Sequence, residues 1–78
     1  MRICFKNIAQ VKKFCKAAEK YDGSVIVSEG SITVDGESII GIMNLGLNKT
    51  LEVELSDRFS ASAVQFEAEI AKLSIERK

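Results

Sequence analysis

Residues 24–55 read SVIVSEGSITVDGESIIGIMNLGLNKTLEVEL, a segment in which the spacing of apolar residues changes twice. Its first part contains two runs of period two around Glu29-Gly30, which predicts a β-hairpin with glycine in the turn. Its last part, together with the next residue, reads TLEVELS (50–56) and alternates without exception, so a further strand is expected with Glu52 and Glu54 facing outward. Ile26 leaves the inner face of the first of these strands ambiguous. The inward positions of the three strands are otherwise expected to be Val25, Val27, Ile32, Val34, Leu51, Val53 and Leu55.

Between the second and third of these strands, the chain has the features of a helix of about two turns. Ser38 is suited to the N-cap position, and Gly46 is suited to end the helix. Ile42 and Leu45 can then face the sheet. A helix this short cannot bury all of its apolar residues against one sheet, so it leaves an apolar patch exposed, typical of a docking surface. The residues of this patch are predicted to be Ile39, Ile40 and Met43.

A strand and two longer helices flank this segment. RICF (2–5) predicts a short strand with Ile3 and Phe5 on one face, and the period becomes helical from Asn7, a suitable N-cap. The first helix is expected to end at YDG, with Gly23 in a left-handed conformation. Its buried arc is predicted to contain Ile8, Val11, Phe14, Cys15, Ala18 and Tyr21. The last helix, capped by Asp57 or Ser60, is predicted to bury Phe59, Ala63, Phe66, Ile70 and Leu73.

The predicted order is therefore β-α-β-β-α-β-α in a single domain covering residues 1–78. Four strands and amphipathic helices favour an α+β fold with two layers. We expect a mostly antiparallel sheet, covered by helices on one face and open to water on the other.

Composition excludes several functions. The 11 basic and 11 acidic residues balance, so no overall electrostatic field favours binding to nucleic acid. The first helix has a basic side that is interpreted as a solvated face or, alternatively, as a phosphate-binding group, formed by Lys12, Lys13, Lys16 and Lys20. The chain contains no histidine, which removes the usual general base and metal ligand. We therefore expect no enzymatic activity, metal or cofactor. With no long apolar run or signal peptide, a cytoplasmic protein without a membrane partner is expected.

The segment ESIIGIMNLGLNKTLEVEL, together with AAEKYDGSVIV before it, resembles HPr, the phosphocarrier protein of the bacterial sugar phosphotransferase system. The family pattern is a serine, two bulky apolar residues, glycine, an apolar residue, methionine, a small or polar residue and Leu-Gly. This chain matches that pattern from Ser38 to Gly46, and the resemblance extends from about Val11 to Leu55 without a gap. It implies the open-faced β-sandwich of HPr.

The chain departs from the family where HPr carries its phosphorylated histidine. Family members have a Gly-x-His-Ala-Arg-Pro-Ala segment at the start of the first long helix. Counting back from Tyr21 without a gap places Asn7 at the histidine, Ala9 at the arginine and Gln10 at the proline. The strand and loop before this position are also shorter. The resemblance therefore does not imply phosphocarrier activity for this chain.

The resemblance does imply a second role of the family. In many HPr proteins the serine equivalent to Ser38 is phosphorylated by an ATP-dependent kinase, and the product regulates transcription or sugar uptake. A regulatory protein that docks a serine kinase or a transcriptional regulator through the Ser38 helix is therefore expected. Ser38 also has a simpler interpretation as an N-cap alone. Two further classes stay open, namely an HPr-derived scaffolding domain, dimeric through a sheet edge, and a small enzyme using Cys4 or Cys15.

Overall fold

The part of the chain that the structure describes forms four strands and three α-helices in the predicted order. The structure is a computed structural model that describes residues 1–57 and 59–73. The elements are β1 (Arg2–Ile3), α1 (Ile8–Lys20), β2 (Val25–Glu29), β3 (Ile32–Asp35), α2 (Ile39–Leu45), β4 (Leu51–Leu55) and α3 (Ala61–Glu69), followed by a 3₁₀ turn at Ala71–Leu73. The predicted α+β architecture is confirmed.

All four strands form one antiparallel sheet in the order β1-β4-β2-β3. β4 lies in the interior, where Val53 pairs with Val27 of β2, and β1 adds only the pairs Arg2–Glu52 and Ile3–Leu51. The three helices cover one face. The other face, here called the open face, carries the exposed Glu52 and Glu54, as the alternation of β4 predicts.

Each α-helix begins at a side-chain cap. The Oδ1 of Asn7 accepts the Gln10 N–H at 3.0 Å, and Ser38 and Ser60 accept the N–H of the third residue of their helices at the same distance. Such a cap stabilises a helix by about 1 kcal/mol. Of the two candidates for the α3 cap, Ser60 holds the position, because the helix begins only at Ala61.

The core lies between the covered face of the sheet and the helices. Phe14 of α1 is at its centre and contacts two other phenylalanines edge to face, Phe5 at 5.3 Å and Phe66 at 5.5 Å between ring centroids. Strand residues such as Val27 and Leu51 close the core from below. Burial of these side chains is the main source of stability in a chain this small.

Two predicted turns differ from the observed ones. The hairpin turn is Gly30-Ser31 rather than Glu29-Gly30, because Glu29 still pairs with Ile32 in the ladder. Gly30 has the positive φ that the turn requires, +63°. Gly23, in contrast, does not have a positive φ. Helix α1 ends instead at Tyr21, which is extended (ψ 137°) and donates its N–H to the carbonyl of Ala18.

Three residues predicted to be buried are exposed. Ile8 is at the edge of the buried arc in the first turn of α1, and 47% of its surface remains exposed. Ile32 is on the covered face of edge strand β3 but directly after the turn, beyond the helices, and is 57% exposed. Phe59 precedes the cap of α3 and therefore does not share the helical period, so it is 89% exposed. The predicted stripe also continues past α3, which ends at Glu69.

Candidate functional site

Ser38 starts α2 and makes three hydrogen bonds with its neighbours. Its N–H donates to the Asp35 carbonyl at the end of β3, at 3.0 Å. Its Oγ accepts the Gly41 N–H, and its carbonyl accepts the Ile42 N–H, each at 3.0 Å. The side chain is half-buried. The hairpin therefore holds the serine in a defined orientation at the surface.

Gly41 allows α2 to lie close to β3. A Cβ atom at this position would be 3.0 Å from the Oγ of Ser38 and 3.1 Å from the Cβ of Val34. Both distances are shorter than those of ordinary side-chain contacts. Gly41 is part of the family pattern, at a position for which the sequence pattern alone offers no physical reason. This contact supplies one, since any larger residue would push against both the serine and the strand.

The two sides of α2 differ strongly in exposure. Ile42 and Leu45 are 0% and 3% exposed and face the core, as predicted. Ile40 is 77% exposed and Ile39 is 38% exposed, directly after Ser38 in the chain. Met43, predicted to complete the exposed patch, is half-buried and packs against the core. Its long flexible side chain reaches the core from a position between the two sides of the helix.

The surroundings of Ser38 carry negative charge. Glu37 precedes it and is exposed, and the Glu37 N–H donates to the Oδ1 of Asp35 at 2.9 Å. Neither carboxylate is in the first turn of α2, which has no acidic residue. The hydroxyl is thus at the positive end of a short helix dipole but has two carboxylates on its N-terminal side.

Asn7, which the resemblance predicts to stand at the position of the family histidine, is an exposed N-cap of α1. Besides the Asn7–Gln10 bond, the Lys6 N–H donates to the Oε1 of Gln10 at 2.8 Å, so the Gln10 side chain bonds the residue before the cap, in a variant of the capping box. The spacing of Asn7 and Gln10 could have indicated this second bond. The carbonyl of Phe5, two residues before Asn7, accepts the N–H of Asn48 in the loop after α2. Asn7 is therefore close to the loop that follows α2, whereas Ser38 is at the start of this helix.

The cysteines occupy different environments. Cys15 is buried in α1, and burial, together with the charges of Glu19, Asp35 and Glu37, raises the pKa of its thiol above the usual 9.0. Cys4 is half-buried beside β1. A high pKa leaves little thiolate at neutral pH, so Cys15 is a poor nucleophile.

Other site types find no support in the described part of the chain. No group of three His, Cys, Asp or Glu residues there could hold a metal ion. No helix there is both long and apolar enough to cross a membrane. A cavity of about 740 Å³ beside Met1, Glu54 and Phe66 contains none of the predicted site residues.

Comparison with known proteins identifies similar sequences and folds. Residues 9–74 match the PTS-HPr family model, described as the PTS HPr component phosphorylation site. The structure is similar to a phosphocarrier protein HPr from Bacillus anthracis, with a TM-score of 0.70, 20% identity, and coverage of 95% of this chain and 94% of that one. It is also similar to HPr-C-His from Thermoanaerobacter tengcongensis, with a TM-score of 0.68, 20% identity, and coverage of 91% and 93%. Curated protein sequences give no match.

Proposed function

The chain belongs to the PTS-HPr family, and from this membership we propose that it is a non-catalytic regulatory protein that docks partner proteins through the Ser38 helix. It differs from a phosphocarrier at the position that matters most. The ungapped alignment places Asn7 where the family has its histidine, and the chain contains no histidine. An amide side chain has no basic nitrogen to accept a phosphoryl group. The proposed activity is therefore recognition rather than phosphoryl transfer.

One observation carries the docking proposal, namely the exposure of Ile40 and Ile39 on a helix whose other side is locked into the core. Ile42 and Leu45 hold α2 rigidly, so Ile40 is presented at 77% exposure on a fixed support. A rigid apolar side chain loses little conformational entropy when it enters a pocket of a partner. Such apolar anchors dominate the energy of protein interfaces.

Ser38 is proposed as a regulatory phosphorylation site on the same helix. The N–H of Gly41, which the hydroxyl oxygen accepts, lies within reach of a phosphate on that oxygen. The helix dipole favours the added charge, but the nearby carboxylates of Glu37 and Asp35 oppose it. Phosphorylation would place about two negative charges beside Ile39 and Ile40. The same modification would thus leave the fold intact and change which partners dock.

The phosphorylation step is tested by incubating the protein with an HPr-type serine kinase and ATP and measuring the intact mass. We expect one phosphate on the wild type and none on Ser38→Ala. The Ser31→Ala variant, which changes an exposed serine in the hairpin turn, controls for nonspecific modification. An unmodified wild type, or a phosphate that persists in Ser38→Ala, would contradict this part of the proposal.

The docking step is tested separately with Ile40→Asp. Because Ile40 is already in contact with water, the melting temperature of this variant should remain within a few degrees of that of the wild type. Binding to a serine kinase, or to a transcriptional regulator that recognises HPr, should weaken by about 2 kcal/mol or more. Val64→Asp, at a 62% exposed position on α3, is the matched control. Equal loss of binding in both variants would show that α2 is not the docking surface.

The alternative function is that of a scaffolding domain without a phosphotransferase role. It is distinguished by the same experiments. A scaffold binds its partner with affinity independent of Ser38→Asp, whereas a phosphorylation-controlled regulator changes affinity with that substitution. Ser38→Asp itself should be compatible with the fold, since aspartate is a good N-cap.

A further inference from the structure

Two groups of like charge lie on different sides of the described part of the chain, although the exposed Glu19 also lies on α1, one turn after Lys16. The outward side of α1 carries Lys12, Lys13 and Lys16, all exposed, which are here called the lysine face. The opposite side of α1, with Val11, Phe14 and Cys15, packs into the core. Since the helices cover one face of the sheet, the lysine face points away from it. Lys20 is left out of this group because it forms a salt bridge with Glu69 at 3.0 Å.

Part of the open face presents the opposite charge around an apolar residue, beside the Arg2–Glu52 pair of β1 and β4. The strand register places Ile26 of β2 directly between Glu54 of β4 and Asp35 of β3. All three residues are exposed, Ile26 at 38%. This arrangement is here called the Ile26 row. Directly paired residues of an antiparallel ladder have Cβ atoms about 5 Å apart, so the Cβ atoms of Glu54 and Asp35 lie about 10 Å from each other.

We propose that the Ile26 row binds the lysine face of a second copy of this chain. A lysine side chain has an apolar stem of four carbons and a charged end. Its stem can cover Ile26 while its ammonium group reaches Glu54 or Asp35. Lys12 and Lys16 are one helical turn apart, with Cβ atoms about 5–6 Å from each other. Their flexible ends therefore extend to both carboxylates of the row at once.

The occupant follows from charge complementarity. A second copy brings a lysine face of matching spacing and sign at the same concentration as the open face. The contact joins two different surfaces, so a dimer keeps one free lysine face on one copy and one free Ile26 row on the other. Such a head-to-tail contact does not close on itself and extends to trimers and longer chains. This association uses neither Ser38 nor Ile40 and is independent of the proposed docking function.

Sedimentation velocity of the full chain over a range of concentrations tests the proposal. At about 10 mM salt, where charges act over about 30 Å, the sedimentation coefficient should rise steadily with concentration. At about 1 M salt, where this distance is about 3 Å, the protein should return to the monomer. Glu54→Lys and the double variant Lys12→Glu/Lys16→Glu should each weaken association about tenfold or more at low salt. Asp22→Lys makes the same change of charge in an exposed loop and should associate like the wild type.

Mixing the two variants gives the sharper result. The Glu54→Lys protein retains a lysine face, and the double variant retains an Ile26 row. Together they should associate again, through the retained pair of surfaces and through the two altered surfaces, whose charges are also opposite. A wild type that stays monomeric at low salt, or a mixture that stays monomeric, would overturn the proposal. A third outcome would also overturn it, namely a wild type that stays monomeric while a lysine-rich helical peptide shifts the amide resonances of Ile26 and Glu54. The Ile26 row would then bind a different basic partner and not a second copy of this chain.

Discussion

The Tyr21 hydroxyl joins two loops that are far apart in the chain, and its removal should have a defined cost. It donates to the Asp57 carbonyl at 2.8 Å and accepts the Asp57 N–H at 2.9 Å. The substitution Tyr21→Phe removes both bonds and keeps the ring, which is buried and lies 5.9 Å from the ring of Phe66. A hydrogen bond contributes about 0.5–1.5 kcal/mol net, so two contribute about 1–3 kcal/mol. Because these groups are only partly buried and water can replace the hydroxyl in part, we expect a loss of about 1–2 kcal/mol.

Urea unfolding measures this loss as a lower midpoint with an unchanged slope. A change of 1 kcal/mol corresponds to about 4–8 °C in the melting temperature of a domain of this size. The Asp57 amide should also exchange its hydrogen faster, since it loses its acceptor.

A second contact between the same loops tests the reasoning further. Ser62 accepts the N–H of Asp22 through its Oγ at 3.0 Å. The Ser62→Ala variant should cost less, about 0.5–1 kcal/mol, because this bond is exposed. If the two hydroxyls hold one junction, the double variant should lose a different amount from the sum of the single losses. A cost below about 0.3 kcal/mol for Tyr21→Phe, with unchanged exchange at Asp57, would refute this account.

Three further predictions concern the core, phosphorylation and pH. Phe66→Ala should destabilise the fold by about 3–5 kcal/mol in urea unfolding, whereas Glu52→Ala on the open face should cost less than about 0.5 kcal/mol; the reverse order would mean that the faces of the sheet were assigned wrongly. Incubation with phosphoenolpyruvate and the general phosphotransferase enzyme should yield no acid-labile phosphoprotein, and such a product would contradict the proposal that this chain is not a phosphocarrier. Burial raises the pKa of the Cys15 thiol in the folded state above 9.0, its ordinary value in the unfolded state. The contribution of this thiol to stability is therefore complete below pH 9.0 and is lost as the pH rises through the higher folded pKa. Cys15→Ala should therefore show a weaker loss of stability above pH 9.0 than the wild type, and equal alkaline curves would contradict a raised pKa.

Much of the fold could be predicted because local signals and tertiary packing agree. Strand β4 alternates strictly and was assigned correctly in both faces, and Asn7 and Ser38 were identified as caps from residue type alone. The wrong predictions of burial arise where the apolar period does not indicate whether another element covers the residue. Ile32 has the correct parity but is beyond the reach of the helices, and Phe59 has the correct spacing but precedes its helix. Periodicity indicates the face of a strand or helix on which a side chain lies, whereas burial also depends on how far the helices extend over that face.

The candidate site was predictable only in part. The short helix after Ser38 could be predicted from its cap and its terminal glycine, and its length required some exposed apolar residues. The pattern did not determine which ones, because Met43 can turn its flexible side chain to the core while Ile40 cannot. The separation of charge between α1 and the Ile26 row was not accessible either. It depends on strand register, which places Glu54 and Asp35 on either side of Ile26.

The attachment of β1 has a consequence for the order of folding. The Met1 amino group bonds to the carbonyl of Val53, and the Cys4 N–H bonds to the carbonyl of Leu73, so the partners of this strand are distant in the chain. Closing such long loops is entropically costly and is expected late, after α1 and the hairpin have formed. Substitutions in β1 should then accelerate unfolding more than they slow refolding. The first residues of the chain would thus be the last to join the native structure and would set how long it persists once formed.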